Sequence, residues 1–362
     1  MPVRNISGLL IALALAACGG ASVTSPSATV ARPTGIYALG SDPDPAIISQ
    51  PFVDGSVFRL NWNAIETAQG LYDFSKIDAA IAALEPYGKK LTLVIFALVV
   101  PTYILDQPGV STYDAVAPSG ALTTTAVPWD AFALSRWDAF CLALSGHLVP
   151  DSQSGSMVAL RDHPVLAQVH SPIVGLEGVR DVGGKLVAAP GYERTAFKNA
   201  ALGSIHSMVD RFPNKFRYLA FFDMVDGTLS PPLGQYLLDS FMTEFNAGAT
   251  PKLGFFQENL ACDTPGEPLV FSISTTKDSA FSMFQMLQSW IDPSLNPART
   301  DPCLVTTTPL DRTTAVSGPE VAIGYAYNTF GTRYFEIYPA DLAHPGFADE
   351  FTTWHATLFS TP

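Results

Sequence analysis

The chain carries little charge for its size and almost no cysteine. Only 15% of its 362 residues are charged, against a hydrophobic fraction of 48%. That balance excludes a disordered chain and implies a large buried core. Twenty basic residues, dispersed but for the pair Lys89-Lys90, stand against 33 acidic ones, giving a net charge of −13, which argues against nucleic acid as a partner. The histidines never fall in a His-x-x-x-His pattern, no cysteines have zinc-site spacing, and Gly-x-Ser-x-Gly is absent. No metal, no cofactor and no serine or cysteine nucleophile is therefore expected. No glycine-rich phosphate loop follows an early strand, which argues against a dinucleotide-binding doubly wound sheet.

No apolar run reaches membrane-spanning length; the longest at the amino terminus, Ile6 to Ala17, is too short to cross a bilayer comfortably. It follows a basic Arg4 and ends in Leu15-Ala16-Ala17-Cys18, the layout of a secretory signal. Small residues ahead of a cysteine resemble the lipobox of bacterial lipoproteins. That resemblance implies cleavage before Cys18, lipidation of Cys18, and residence in the bacterial cell envelope with the membrane touched only through this anchor. Residues 18–33 are rich in Gly, Ser, Thr and Pro and read as a flexible tether. The chain thus divides into a signal (1–17), a tether (18–33) and one folded domain (34–362). Outside the cytoplasm thiols pair. Cys262 and Cys303 lie in polar, proline-rich loops and form the expected disulfide, whereas Cys141 sits in an amphipathic helical stretch and is expected to be a buried free thiol.

Past the tether, apolar β-rich runs alternate with helical ones. Strands are expected at 35–40, 56–62, 90–98, 166–175, 216–223, 252–258, 280–288 and 332–339. Several are apolar on both faces, as strands covered by helices must be. In the helix that opens at Ser75, Ile77, Ile81 and Leu84 share a stripe, Ser75 and Asp78 form a capping-box pattern, and Pro86 with Gly88 ends it. Strand and helix alternating about eight times predict an α/β fold, a single (β/α)8 TIM barrel. In such a barrel the chemistry sits where the strands end.

The second strand ends in Arg59, Asn61 and Trp62. An indole there either stacks on a sugar ring or caps the core, and Arg59 either meets substrate or pairs with a carboxylate inside the barrel. Glu177 stands just beyond the fourth strand, Asp223 at the end of the fifth, Glu258 at the end of the sixth, Gln285 on the seventh and Glu336 on the eighth. Glycosidic bonds are cleaved between two carboxyl groups, one protonated and one ionised. Several carboxylates at one mouth therefore point to hydrolysis of a neutral oligo- or polysaccharide, with Arg59, Asn61, Trp62, Asp223, Gln285 and Glu336 lining the sugar site.

The stretch "FRLNWNAIETAQGLYDFSKIDAAIAALEPYGKKLTLVIFAL" (58–98) resembles the early segment of clan A TIM-barrel glycoside hydrolases, nearest the β-galactosidase-like families. The matching pieces are Trp62, Glu66, Gly70, Tyr72-Asp73-Phe74 and Asp78, with Pro128-Trp129-Asp130 further on; elsewhere the resemblance is architectural. It implies an acid/base Glu after the fourth strand, which Glu177 supplies, although Leu176 stands where that family has Asn. It implies a nucleophile after the seventh, where this chain has Gln285. Glu258 is then the expected second carboxylate; Glu336, or a barrel that binds glycans without cleaving them, are the alternatives.

Overall fold

The computed structural model describes residues 33–360 apart from 41, 118–119, 223, 249–251, 258–281, 286–288 and 292–317. Eight strands lie parallel: β1 (Gly35–Gly40), β2 (Gly55–Asn61), β3 (Lys90–Phe96), β4 (Leu166–His170), β5 (Phe216–Ala220), β6 (Gly254–Gln257), β7 (Ser282–Gln285) and β8 (Tyr334–Ile337). Each pairs with its neighbours in chain order, and β8 returns to β1 with Tyr37 opposite Glu336, so the sheet closes on itself.

Long helices follow most strands: α1 (Ser75–Leu84), α2 (Ala131–Gly146), α3 (Arg194–Val209), α4 (Leu233–Phe245), α5 (Pro319–Phe330) and α6 (Ala348–Ser360). The β1–β2 connection departs from that repeat, carrying only the single helical turn Pro45–Ile48. Three antiparallel hairpins, at 66–72, 112–126 and 148–159, sit outside the barrel sheet; the sequence reading did not anticipate them.

Alternation along the strands sorts side chains between two cores. Facing inward, Tyr37, Leu39, Val57, Val94, Phe216, Tyr218, Phe256 and Tyr334 fill the barrel. Facing outward, residues such as Phe58, Leu91, Leu93 and Val169 meet the helices, against Ile77, Ile81, Trp137 and Phe140. The stripe read from α1 is buried as expected, and Gly88 ends the following 3-10 turn in the left-handed region. The capping box is not formed. Phe74 occupies the cap position, Asp73 accepts from the Ser75 N–H at 3.0 Å, and Asp78 is drawn away to His147 Nε2 at 2.7 Å. Cys141 is a buried free thiol on α2, its ionisation disfavoured chiefly by burial. Among the described residues, no helix is long and apolar enough to cross a membrane.

Candidate active site

The segment after β4 is pinned on both sides, and Glu177 sits between the pins. On one side Gly175 takes φ +75°, a left-handed backbone that glycine adopts without penalty. Its N–H bonds Ala97 O past the end of β3 at 2.9 Å, and its carbonyl accepts from the Tyr113 hydroxyl at 2.7 Å. On the other side Val179 N–H donates to Ala220 O and Phe222 N–H donates to Val179 O, an isolated parallel bridge that lengthens β5. Gly178 lies so close to the Ala220 carbonyl that a Cβ there would collide with it. Glu177 itself is half-buried.

Around it lies a small, partly open depression lined by Leu98, Ala115, Val116, Leu176, Glu177, Arg180, Asp181 and Val182. Ala115 and Val116 come from the hairpin 112–126, which Tyr113 ties to Gly175. The Arg180 guanidinium lies over the Phe222 ring, 4.3 Å from its centre. Asp181 accepts from the N–H groups of Lys185 (3.0 Å) and Leu186 (2.9 Å). Desolvation nevertheless lifts its carboxyl above the usual range, those two N–H groups opposing the shift.

Inside the barrel, Glu336 is fully buried. One carboxylate oxygen accepts from the Tyr334 hydroxyl at 3.0 Å and from Tyr218 at 3.4 Å, and the other faces Arg59 at 3.5 Å. Thr92 links Tyr334 to Gln168, at 2.8 and 2.7 Å. Arg59 keeps 28% of its side-chain surface, against 1% for Glu336, so the guanidinium caps a buried carboxylate and presents itself to the opening. His170, beside Tyr218 with ring centres 5.3 Å apart, is wholly buried. Burial, helped by the nearby Arg59 charge, depresses its pKa to about 4. Among the described residues, the interior thus sets the Arg59 guanidinium over the Glu336 carboxylate, with phenols donating to it and a neutral imidazole alongside.

The described strands form a closed parallel ring, with Glu336 buried inside it and Glu177 beyond the end of β4. The fold is similar to that of a β-amylase catalytic domain. That domain, from Paenibacillus polymyxa, superposes with a TM-score of 0.55 over 91% of this chain and 98% of its own, at 10% sequence identity. Likeness at that identity speaks for the fold alone. No family model matches the chain, and no curated protein does.

The expected site residues divide unevenly. Glu177 stands in the cleft, Arg59 and Glu336 meet inside the barrel, and Asn61 is exposed at the end of β2. Trp62 does not line a sugar site. The strand ends at Asn61, the chain turns into the helical turn Trp62–Ile65, and the indole is swung beneath α2 with no exposed surface. There it meets Trp137 edge-on at 5.2 Å and donates from Nε1 to Glu66 at 2.8 Å. Gln285 is placed by its backbone, in register with Glu336. Asp223, Glu258, Cys262 and Cys303 lie outside the described residues.

Residues the sequence reading did not single out include Tyr218 and Tyr334, whose signal is a tyrosine at an inward strand position, and the hairpin residues Ala115 and Val116. Among the described residues, Glu85, Asp151 and His163 converge closely enough to consider a metal. They do not suit one. His163 Nδ1 accepts the Val165 N–H at 3.3 Å, so its Nε2 bears the proton and donates to Pro150 O at 3.2 Å, leaving no lone pair for a cation.

Proposed function

We propose that this chain is a glycoside hydrolase on a single (β/α)8 barrel, acting on a neutral carbohydrate substrate without a cofactor. Glu177 is the general acid, held on the pinned loop after β4 in a half-buried cleft; its placement there is the observation that carries the reading. Glu258, which follows the last residue of β6 in sequence, is the second carboxylate. Arg59 and Glu336 form the floor of the sugar site, with Asn61 at its rim and Asp223 and Gln285 completing it.

In the reaction so drawn, Glu177 gives its proton to the departing glycosidic oxygen, and the second carboxylate attacks the anomeric carbon or activates water. Arg59 supplies positive charge beside the mouth, which favours the ionised form of a neighbouring carboxylate. The chain reaches the cell envelope through lipidated Cys18 and the tether 18–33, and Cys262 pairs with Cys303.

The test is Glu177→Gln, assayed on one sugar with two leaving groups. Turnover of an unactivated alkyl glycoside is expected to fall by about 10²–10⁴, the usual worth of a general acid, while a 4-nitrophenyl glycoside, which needs little protonation, loses far less. Equal activity of variant and parent on the alkyl glycoside would sink the assignment. A second reading, a barrel that binds glycans without cleaving them, draws support from Gln285, which stands in register with Glu336 where a second mouth carboxylate would complete the pair. It predicts that an oligosaccharide raises the melting temperature while no glycoside turns over.

A further inference from the structure

A general acid protonates the leaving group's oxygen, so the walls around that acid face the leaving group rather than the sugar being transferred. Around Glu177 five of the lining side chains are aliphatic, Leu98, Ala115, Val116, Leu176 and Val182; Arg180 and Asp181 also line it, and no aromatic ring is among the described lining residues. Asp181 is already engaged, and one face of Arg180 is covered. Both Asp181 oxygens accept backbone N–H groups, and the Arg180 guanidinium is stacked on Phe222. A sugar placed against the aliphatic part of this surface gives up water from its hydroxyls and finds partners only at the Arg180 edge, whereas an alkyl or aryl group gives up no hydrogen bond there and buries apolar area.

A second observation extends the wall outward. In the hairpin 112–126, Val116 pairs directly with Leu122 across the strands, so their side chains share a face. Leu122 is 70% exposed, and it carries the apolar strip from the cleft into solvent.

We propose that the leaving-group side of the cleft is a subsite for an apolar alcohol, so that the substrate class is an alkyl or aryl glycoside rather than an oligosaccharide. This rests on Glu177 being the acid. In the step, the bond between the anomeric carbon and the leaving oxygen breaks, and that oxygen takes the Glu177 proton and departs as a free alcohol. Water supplies the new hydroxyl at the anomeric carbon and returns one proton to the carboxylate pair, so no oxidant or reductant is required.

The experiment uses the full chain and begins with 4-nitrophenyl glycosides of glucose, galactose, mannose and xylose to find the preferred sugar. On that sugar, methyl, n-butyl and n-hexyl glycosides are compared with a disaccharide of the same non-reducing residue. The expected result is a kcat/KM that rises up to about fourfold per buried methylene and a disaccharide at least tenfold below the hexyl compound. Val116→Ser is expected to lower the hexyl-to-methyl ratio about threefold. A disaccharide cleaved as well as the hexyl glycoside, or a flat alkyl series, overturns the apolar subsite while leaving the hydrolase reading intact. If no glycoside turns over, the hydrolase reading fails, and calorimetric binding of the same series decides the subsite: affinity rising with chain length, and blunted in Val116→Ser, supports it, and a flat series refutes it.

Discussion

Glu66→Ala tests whether the conspicuous Trp–Glu pair after β2 is architecture or chemistry. Glu66 has no exposed surface and accepts from four donors: Trp62 Nε1 at 2.8 Å, Gly70 N–H at 2.9 Å, the Tyr103 hydroxyl at 2.8 Å and the Arg136 guanidinium at 2.8 Å. A buried donor left without an acceptor costs about 1–3 kcal/mol. Gly70 lies on an exposed turn and recovers water. The other three losses fall within one network and do not add. Stripping one partner from a buried ion pair costs about 3–5 kcal/mol, and Arg136 retains only 14% of its side-chain surface. The expected loss is therefore about 4 kcal/mol, a large share of the roughly 5–15 kcal/mol that holds a domain together. Glu66→Gln keeps the volume and one acceptor and is expected to lose about half as much, about 2 kcal/mol. Urea unfolding followed by tryptophan fluorescence measures both, and Arg136→Met with the double variant gives the coupling. A Glu66→Ala protein within about 1 kcal/mol of its parent would refute the reasoning. So would one that keeps its stability and loses only activity, which would return Glu66 to the chemistry.

Trp62→Phe is expected to cost about 2 kcal/mol through its lost Nε1 hydrogen bond and smaller ring, and to leave KM for any glycoside unchanged. A raised KM would place the indole back at the substrate. His170 binds its proton near pH 4 when folded and near 6.5 when unfolded, so the unfolded chain takes up the proton first on acidification. The stability it contributes is complete above pH 6.5 and is lost as pH falls toward 4, by about 3 kcal/mol. His170→Gln should flatten that part of the stability–pH curve relative to the parent, and an unchanged slope counts against a buried neutral imidazole. Gly178→Ala forces a Cβ against the Ala220 carbonyl and displaces the loop bearing Glu177. Turnover is expected to fall about a hundredfold, as for a catalytic group misplaced by about 1 Å, with a stability loss of about 1–3 kcal/mol. Parental kinetics would show that the loop adapts freely.

The barrel strands were legible because each is a short apolar run bounded by polar or turn residues; 35–40 was bounded to the residue, and most others ran a few residues long at the C-terminal end. That overrun has a cause. Beyond His170 and Ala220 the chain stays apolar because it packs in the loops that pin Glu177, and burial alone does not tell a strand from such a loop. The hairpins were illegible because a stretch such as Leu122–Ala126, Leu-Thr-Thr-Thr-Ala, pairs only with its partner and carries little hydrophobic pattern. Trp62 was undecidable from sequence, since inside and outside differ by one residue of phase and the strand ends immediately before it. For Arg59 the carboxylate-pairing alternative is the one the fold realises, through Glu336 from a strand 277 residues away in sequence; no local pattern announces such a partner. Ser75 and Asp78 fit a capping box by spacing, yet Asp78 found a histidine from the end of α2 instead.

The two glycines that bracket Glu177 divide the chain by how freely it can be rewritten. Position 175 needs a left-handed backbone, and position 178 has no room for a side chain. The backbone that carries Glu177 therefore tolerates little substitution at either glycine. The hairpin 112–126 is different: its strands pair with each other alone, and Ala115, Val116 and Leu122 reach the cleft or its approach from a unit that belongs to no other sheet. On the proposed reading, the proton donor and the leaving-group wall thus sit on separately built units, one sterically constrained and one not. A laboratory library confined to those three hairpin positions would then vary the leaving-group side without moving Glu177.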